Sequence, residues 1–467
     1  MKMKLGGVKM KRTKILCLAA ALTLFAACFS GCGSETVDSD VTTVTVWTTE
    51  SHSKTAVERL VNEFNNTEGK EAGVAIEYKV IEGDSFAKSL ELALQTGQGP
   101  DLMPSTLGVV TMVENGYAAA LEDLPGGAEF VQKYKDDLVN RVNTYKGKTY
   151  TVPTTATTRG LIYNKDMFKA AGIVDENGEP TPPETFDEMR EYAKRLTNKS
   201  NNQFGMILPQ KWTTWVASDM LTLMQSSVGH CGYDPVTGEY DYSGLAPIIN
   251  TYQGIIEDGS MYPGAEGIDN DTARAYFSEG LIGMKIAYSF DVGVLNDQFP
   301  AKCDWGVAPL PVVDKDNRYK QVESLGSSFC INAASVETKG GDKLMTCMKW
   351  FASDEYVTEM YKGGFYIPID WDIVKDVELN NAKKGWKEFA EMTKISHSQN
   401  QVPQRDTTGK LGIAERIKNE VLAGKISAED MLKQHTIDSE EATQKYYAVN
   451  TDESREDYVD KTWNVKR

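Results

Sequence analysis

The sequence predicts an α/β protein built as two lobes. Between residues 41 and 103, β-branched runs alternate with amphipathic helical stretches. A second region of the same kind begins near Tyr150, and neither a long linker nor an internal repeat separates the two. Such a chain is expected to form two lobes without dividing cleanly in its middle.

The elements follow in order. Residues 41–47 alternate β-branched side chains and read as a strand. Residues 53–66 set Val57, Leu60, Val61 and Phe64 on one helical face, with Ser53 as the cap. Residues 74–80 read as a second strand, 86–95 as a second helix and 101–103 as a short third strand. Strand–helix–strand order implies a mostly parallel sheet, and ligands gather beyond the carboxyl ends of such strands. Trp47, Thr48, Thr49 and Glu50 stand there after the first strand, and Pro104 and Ser105 after the third. In the second region, Leu161-Ile162-Tyr163 leads into a helix start at Lys165-Asp166-Met167-Phe168. Pro180, Pro182 and Pro183 precede a helix through Phe186, Met189, Tyr192, Ala193 and Leu196. Loops rich in Gly, Asp and Tyr follow at 229–244 and 258–270, and helices are predicted over 376–396, 409–423 and 427–438.

The leader bears on location. Lys2, Lys4, Lys9, Lys11, Arg12 and Lys14 precede an apolar run over 15–27, then Ser30-Gly31-Cys32-Gly33. A basic n-region, a short h-region and small residues before a cleavage point are the parts of a secretory signal. The run is too short to favour a permanent span. Small residues abutting a cysteine resemble a bacterial lipobox of the Gram-positive form. Residues 1–31 are then the signal, Cys32 the lipidated N-terminus and 32–40 a polar tether, with Cys28 as a competing site.

The 467 residues carry 50 Lys+Arg against 67 Asp+Glu, a formal charge of -17. The leader holds six of the bases and no acid, which leaves 44 against 67 and a charge of -23 after cleavage. That balance argues against nucleic acid or an anionic lipid surface as partner. Cys231, Cys303, Cys330 and Cys347 show no regular spacing and read first as small buried hydrophobes rather than a disulfide framework. His52, His230, His397 and His435 form no metal motif, and Asp314-Lys315-Asp316-Asn317 lacks the rest of a calcium loop, so it reads as a turn. No metal or cofactor is expected.

Several fragments, in order, carry a family resemblance. They include Thr96-Gly97-Gln98-Gly99-Pro100-Asp101, Glu114-Asn115-Gly116-Tyr117, Leu121-Glu122-Asp123-Leu124 and the segment from Tyr145 to Pro153. Gly160 to Gly172, Pro183-Glu184-Thr185-Phe186, Phe277 to Met284 and Gly306-Val307-Ala308-Pro309-Leu310-Pro311 follow. Together, over about residues 41–370, they resemble the extracellular solute-binding proteins (family 1) of ABC importers, the group that includes maltose-binding protein. The resemblance implies a type II periplasmic-binding-protein-like fold: two α/β lobes, a cleft between them and a hinge of crossing segments. It sets the crossings near 154–159, 323–328 and 361–367. Lobe one is then 41–156 with 326–360, and lobe two 157–325 with 361–467. Thr154, Thr155, Ser324 and Tyr366 fall near the cleft floor. The chain departs from the family pattern at Leu281 and Gly283, where lysine and alanine are usual. It also departs after Gly99-Pro100-Asp101, where Pro104, Ser105, Thr106, Leu107 and Gly108 replace acidic and tryptophan residues of the maltose-binding branch. Both weaken the case for maltose itself, and a glycine at the cleft tip is expected to make room for a bulkier glycan.

The resemblance implies a binding protein rather than an enzyme. Its leading function is capture of a carbohydrate, an oligosaccharide first, and delivery to the permease subunits of an ABC importer. The protein is expected to act as a monomer on the outer face of the membrane. The alternatives are a glycan-sensing or adhesive lipoprotein, or a non-sugar ligand such as a polyamine or glycerol phosphate. Sugars offer hydroxyls and apolar C–H faces, so their sites need flat aromatic rings together with carboxylates or amides. The candidates are Trp47, Glu50, Trp212, Trp215, Phe290, Asp291, Trp305 and Tyr366, although a tryptophan is more often core than platform. Asp101 is expected to shape its turn or cap the next helix, and Tyr163, Asn164 and Asp166 to be architectural.

Overall fold

The computed structural model describes residues 41–50, 53–81, 86–379, 382–451 and 453–467. The leader, Cys28, Cys32, the tether and His52 lie outside the described residues. From Thr43 onward the chain forms one compact unit.

Three sheets organise it. In the first, Thr42–Thr48 lies between Val74–Val80 and Leu102–Met103, and Cys330–Ile331 completes the edge beyond Leu102–Met103. Val46 pairs with Leu102 in parallel, whereas Cys330 pairs antiparallel with Met103. The helix Lys54–Asn66 buries Val57, Leu60, Val61 and Phe64 against this sheet, the face its spacing predicts. Ser53 does not cap it by side chain: its backbone is already helical, and its hydroxyl lies 3.2 Å from the Tyr366 hydroxyl. Asp101 does more than shape a turn. It accepts from Thr45 N–H at 2.7 Å, Ser335 Oγ at 2.6 Å and Lys339 Nζ at 2.5 Å, stapling the first strand to the helix Ala333–Lys339. Burial works against its charge, but these donors outweigh it and hold the carboxyl below its ordinary range.

The second sheet has the order 305–308, 159–164, 282–288, 204–206. Its central strands, Arg159–Asn164 and Ile282–Tyr288, are buried on both faces and pair antiparallel. Asn164 caps the helix Lys165–Ala170 by accepting from Met167 N–H at 3.0 Å, and Thr185 with Glu188 forms a capping box on Phe186–Leu196. Gly283 does not open space for a ligand. A Cβ there would meet Leu196 Cδ1 at 2.9 Å and the Gly205 carbonyl at 3.0 Å, so the missing side chain lets helix and strands close up.

The third sheet joins the two bodies. Pro153–Thr157 lies between Ile367–Pro368 and Gln321–Ser327, and Ser396–Ser398 runs parallel to 321–323 at the far edge. Among the described residues the apolar cores are separate, two on the first sheet and two on the second.

The C-terminal helices differ from expectation. Among the described residues of 376–396, only Trp386–Glu391 is α-helical, followed by a 3-10 turn, because Gly385 at φ 85° starts a new helix there. Within 409–423, four α-helical residues from Ile413 give way to a π turn. The last helix runs from Ala428 to Val449, past the predicted end at 438. Its added turns bury Ser439, Ala442 and Thr443, small residues without apolar periodicity, and the Tyr240 hydroxyl bonds Thr443 Oγ1 at 2.8 Å. Asp314 to Asn317 forms a turn closed by an Asn317 N–H to Asp314 carbonyl bond of 3.1 Å. Among the described residues the four cysteines are unpaired; Cys231, Cys330 and Cys347 are buried and Cys303 partly so.

Candidate functional site

Thr48, Thr49 and Glu50 leave the end of the first strand at the mouth of a cavity of about 160 Å³. Pro104, beyond the third strand, lines it too, with Thr154, Thr155 and Gly326 from the third sheet and Tyr366 beside it. Tyr78, Phe351 and Tyr356 complete an aromatic wall. Burial raises the hydroxyls of Tyr78, Tyr356 and Tyr366 well above the ordinary tyrosine range, and the charge of Glu50 adds to this at each of the three. One half-buried carboxylate thus sits among phenols that stay protonated and can donate.

The third sheet links this cavity to the second sheet. Thr155 pairs with Gly326, and Thr157 with Ser324, so all four share one face. A Cβ on Gly326 would meet Thr155 Oγ1 at 2.3 Å, so the bare backbone keeps that face flat. Arg159 continues the same chain. Its guanidinium donates to the Val322 carbonyl at 2.8 Å and to Ser324 Oγ at 2.9 Å, and lies 5.2 Å from the Tyr288 ring centre.

Tyr288 holds an aromatic group together. Trp215 meets it edge-on at 5.4 Å, and Phe290 stacks on it at 5.2 Å with planes 2° apart. Below, the Tyr288 hydroxyl donates to Asp219 Oδ1 at 3.1 Å. Asp291, only 1% exposed, accepts from Arg274 Nε at 2.8 Å and from Tyr288 N–H at 3.1 Å. It therefore braces the strand end that presents Phe290, whose ring the Arg274 guanidinium also covers at 5.5 Å. Trp215 lies within the short helix Thr213–Val216, which passes into a π turn over Ala217–Leu221, an irregularity common at functional sites.

The eight candidates therefore separate. Glu50 and Tyr366 meet in the cavity, and Trp215 and Phe290 flank Tyr288. Trp212 is 44% exposed beside them in sequence, with Lys211 Nζ 5.2 Å from its ring. Trp47 turns to the opposite side of its sheet and packs against the cluster of Phe86, Leu90 and Leu94. Trp305 is core, at 2% exposure with Phe277, Trp386 and Phe389. Asp291 is a buried brace. Sequence reasoning passed over Tyr78, Phe351 and Tyr356, whose separation along the chain hides their convergence. It also left out Tyr288, which ends its strand, and Arg159, which it placed at a crossing but did not name as a ligand contact.

Residues 49–358, well over half the chain, match the bacterial extracellular solute-binding proteins, and the chain belongs to that family. It is similar to the maltotriose-binding protein of Pyrococcus abyssi, at 26% identity over 297 residues. That match covers 63% of this chain and 60% of the relative's length. It is also similar to the sn-glycerol-3-phosphate-binding periplasmic protein UgpB of Brucella melitensis, at 28% identity over 328 residues, 67% of this chain and 71% of that one. Among solved structures, the GacH receptor of Streptomyces glaucescens, determined unliganded and with acarbose, aligns with a TM-score of 0.64 at 17% identity. That alignment covers 88% of this chain and 99% of that one. The maltodextrin-binding domain MalE of Bdellovibrio bacteriovorus, bound to maltotriose, aligns at 0.62 and 18% identity, over 86% and 100%. These likenesses give the fold: two α/β lobes with a cleft between them. Among the described residues no helix is long and apolar enough to cross a membrane.

Proposed function

We propose that this protein captures an oligosaccharide outside the cell and delivers it to the permease of an ABC importer. The observation that carries the reading is one continuous path. Glu50 and its tyrosines lead to the flat face of Thr155, Gly326, Ser324 and Thr157, and Arg159 leads on to Trp215, Tyr288 and Phe290. A carboxylate and phenols at one end suit sugar hydroxyls, and rings at the other suit sugar faces. The maltotriose-binding relative and the acarbose and maltotriose complexes support the same ligand class. The lobe limits are 41–156 with 326–360 and 157–325 with 361–467, and closure bends the third sheet. A lipid on Cys32 holds the monomer to the outer face of a Gram-positive membrane, with residues 1–31 removed. The test is tryptophan fluorescence and calorimetry of residues 33–467 against neutral mono- and oligosaccharides. A saturable micromolar or tighter response to one oligosaccharide class supports the reading, and silence from folded protein overturns it.

A glycerol phosphate reading has one relative in its favour, UgpB. The cavity at Glu50 opposes it, since no lysine or arginine lines that cavity among the described residues and a carboxylate does.

A further inference from the structure

A second cavity, of about 430 Å³, opens behind the tryptophan segment. Thr213 and Leu221, which bracket Trp215, line one wall. The other wall comes from residues 399–439, beyond the stretch that matches the family, and includes Arg405, Lys410, His435 and Asp438.

The charges here do not all pair. Lys410 donates to Asp438 at 2.9 Å and to Glu441 at 3.1 Å. Arg416 pairs with Glu420 at 3.1 Å and with Asp438 at 3.2 Å. Glu415 is spent on the Gly412 N–H. Arg405 has only hydroxyls: one guanidinium nitrogen donates to Tyr242 Oη and Ser439 Oγ, each at 3.1 Å. Its remaining N–H groups meet no carboxylate among the described residues, although its charge lies over the Tyr240 ring at 5.6 Å. A half-buried guanidinium without an anion is costly to hold.

His435 provides the second, independent sign. It is 8% exposed, its ring lies 4.8 Å from that of Tyr242, and its Nδ1 is buried with no hydrogen-bond partner among the described residues. A buried N–H without an acceptor is worse than a bare lone pair, so the ring proton belongs on Nε2. That leaves Nε2–H as the donor for the cavity the ring lines. Two donors of this kind, one a planar fork, fit an oxyanion.

We propose that this cavity receives an oxyanion carried by the bound sugar, a uronate carboxylate or a sulfate ester, held by Arg405 and by His435 Nε2–H. It rests on the glycan reading of the cleft and adds a specificity for acidic sugars, set by the C-terminal wall.

The test uses residues 33–467, which contain the whole compact unit, and histidine-ring NMR with the His435 signal assigned by its loss in His435→Gln. Sodium glucuronate is expected to move that signal saturably, and glucose is not. Calorimetry is expected to show glucuronoxylotriose binding more tightly than xylotriose. Arg405→Gln should lose about tenfold or more for the acidic sugar while xylotriose stays within about twofold. If Arg405→Gln does not fold, Arg405→Lys, which keeps the charge and loses the fork, should lose an intermediate amount. A 6-sulfated N-acetylglucosamine disaccharide tells the two oxyanions apart. A His435 signal unmoved by glucuronate, or equally moved by glucose, overturns the proposal. So does inorganic sulfate matching the affinity of both sugar acids, which would make this an ion site only. Neutral sugars failing to bind the wild type would count against the cleft reading alone, because the His435 response to glucuronate is read separately.

Discussion

Arg159 and Ser324 stand on different strands of different sheets, and the 2.9 Å bond between them joins the third sheet to the second. The same guanidinium lies over Tyr288, so the hinge and the aromatic group share one cation.

Replacing that cation is expected to be felt at both ends. Arg159→Gln removes bonds to the Val322 carbonyl and Ser324, and hydrogen bonds to charged groups are worth about 1.5–3 kcal/mol each. Denaturant unfolding should show a loss of that order. Sugar affinity should fall as well, whereas Ser324→Ala, which keeps the cation over Tyr288, should lose less of both. Equal affinity in wild type and Arg159→Gln would sink the coupling.

The tryptophans are expected to divide by role. Trp215→Ala should weaken oligosaccharide binding by about tenfold or more with a modest loss of stability, on the scale of the about 1–3 kcal/mol that stacking of a flat ligand on an aromatic side chain contributes. Trp305→Ala should instead destabilise by about 3–5 kcal/mol, as large-to-small core changes do. Calorimetry with parallel thermal melts separates the two. A Trp305 variant that folds normally but cannot bind would reverse the assignment.

Much of this was legible in the chain, and the reason is local. The helix at 54–66 announces itself by four apolar residues at helical spacing, and Asn164 stands where a cap must. Glu50 and Tyr366 followed from the position of strand ends and crossings. Trp47 did not, because a strand residue one place from the end points to either face, and only the packing of the helix Phe86–Gln95 decides which. Asp291 and Trp305 have the right chemistry for sugars, but Arg274 and the core around Trp386 claim them first. The last helix was placed, but its extension past 438 was missed because buried serine and threonine carry no apolar signal.

Gly326 tests the floor of the cleft. Its backbone needs no left-handed φ, so a substitution acts through space alone. Gly326→Ala presses a methyl on Thr155 Oγ1 and should cost about 1–3 kcal/mol, as overpacking does, while narrowing the cavity beside Glu50. Thr155→Ala in the same chain should restore most of the stability. If the double variant is no more stable than Gly326→Ala alone, measured by urea unfolding, the steric account fails.

Two buried groups, Asp219 and His435, should pull the pH profile of stability in opposite directions. Burial pushes Asp219 up to about 6, and Asp291 adds to it, against the opposing pull of Lys285, Tyr288 and Arg159. A carboxyl raised in the folded state binds its proton more tightly there. Its contribution is present below the ordinary value of 3.8 and is lost as pH rises through about 6. Asp219→Asn keeps an acceptor for the Tyr288 hydroxyl and should gain on the wild type between pH 4 and 7, by on the order of 1–3 kcal/mol. Burial, with Arg405, Arg416 and Lys410 on the same side and Asp438 opposing, pushes His435 down to about 4. The unfolded chain then binds more protons, so that contribution is present above the ordinary 6.5 and is lost as pH falls through about 4. His435→Gln should therefore gain on the wild type only in acid. Urea midpoints at pH 4.5, 5.5 and 7 for the three proteins give both slopes. Parallel curves for either variant and the wild type would mean that the group keeps its ordinary value when buried, and that its role in the fold must be sought elsewhere.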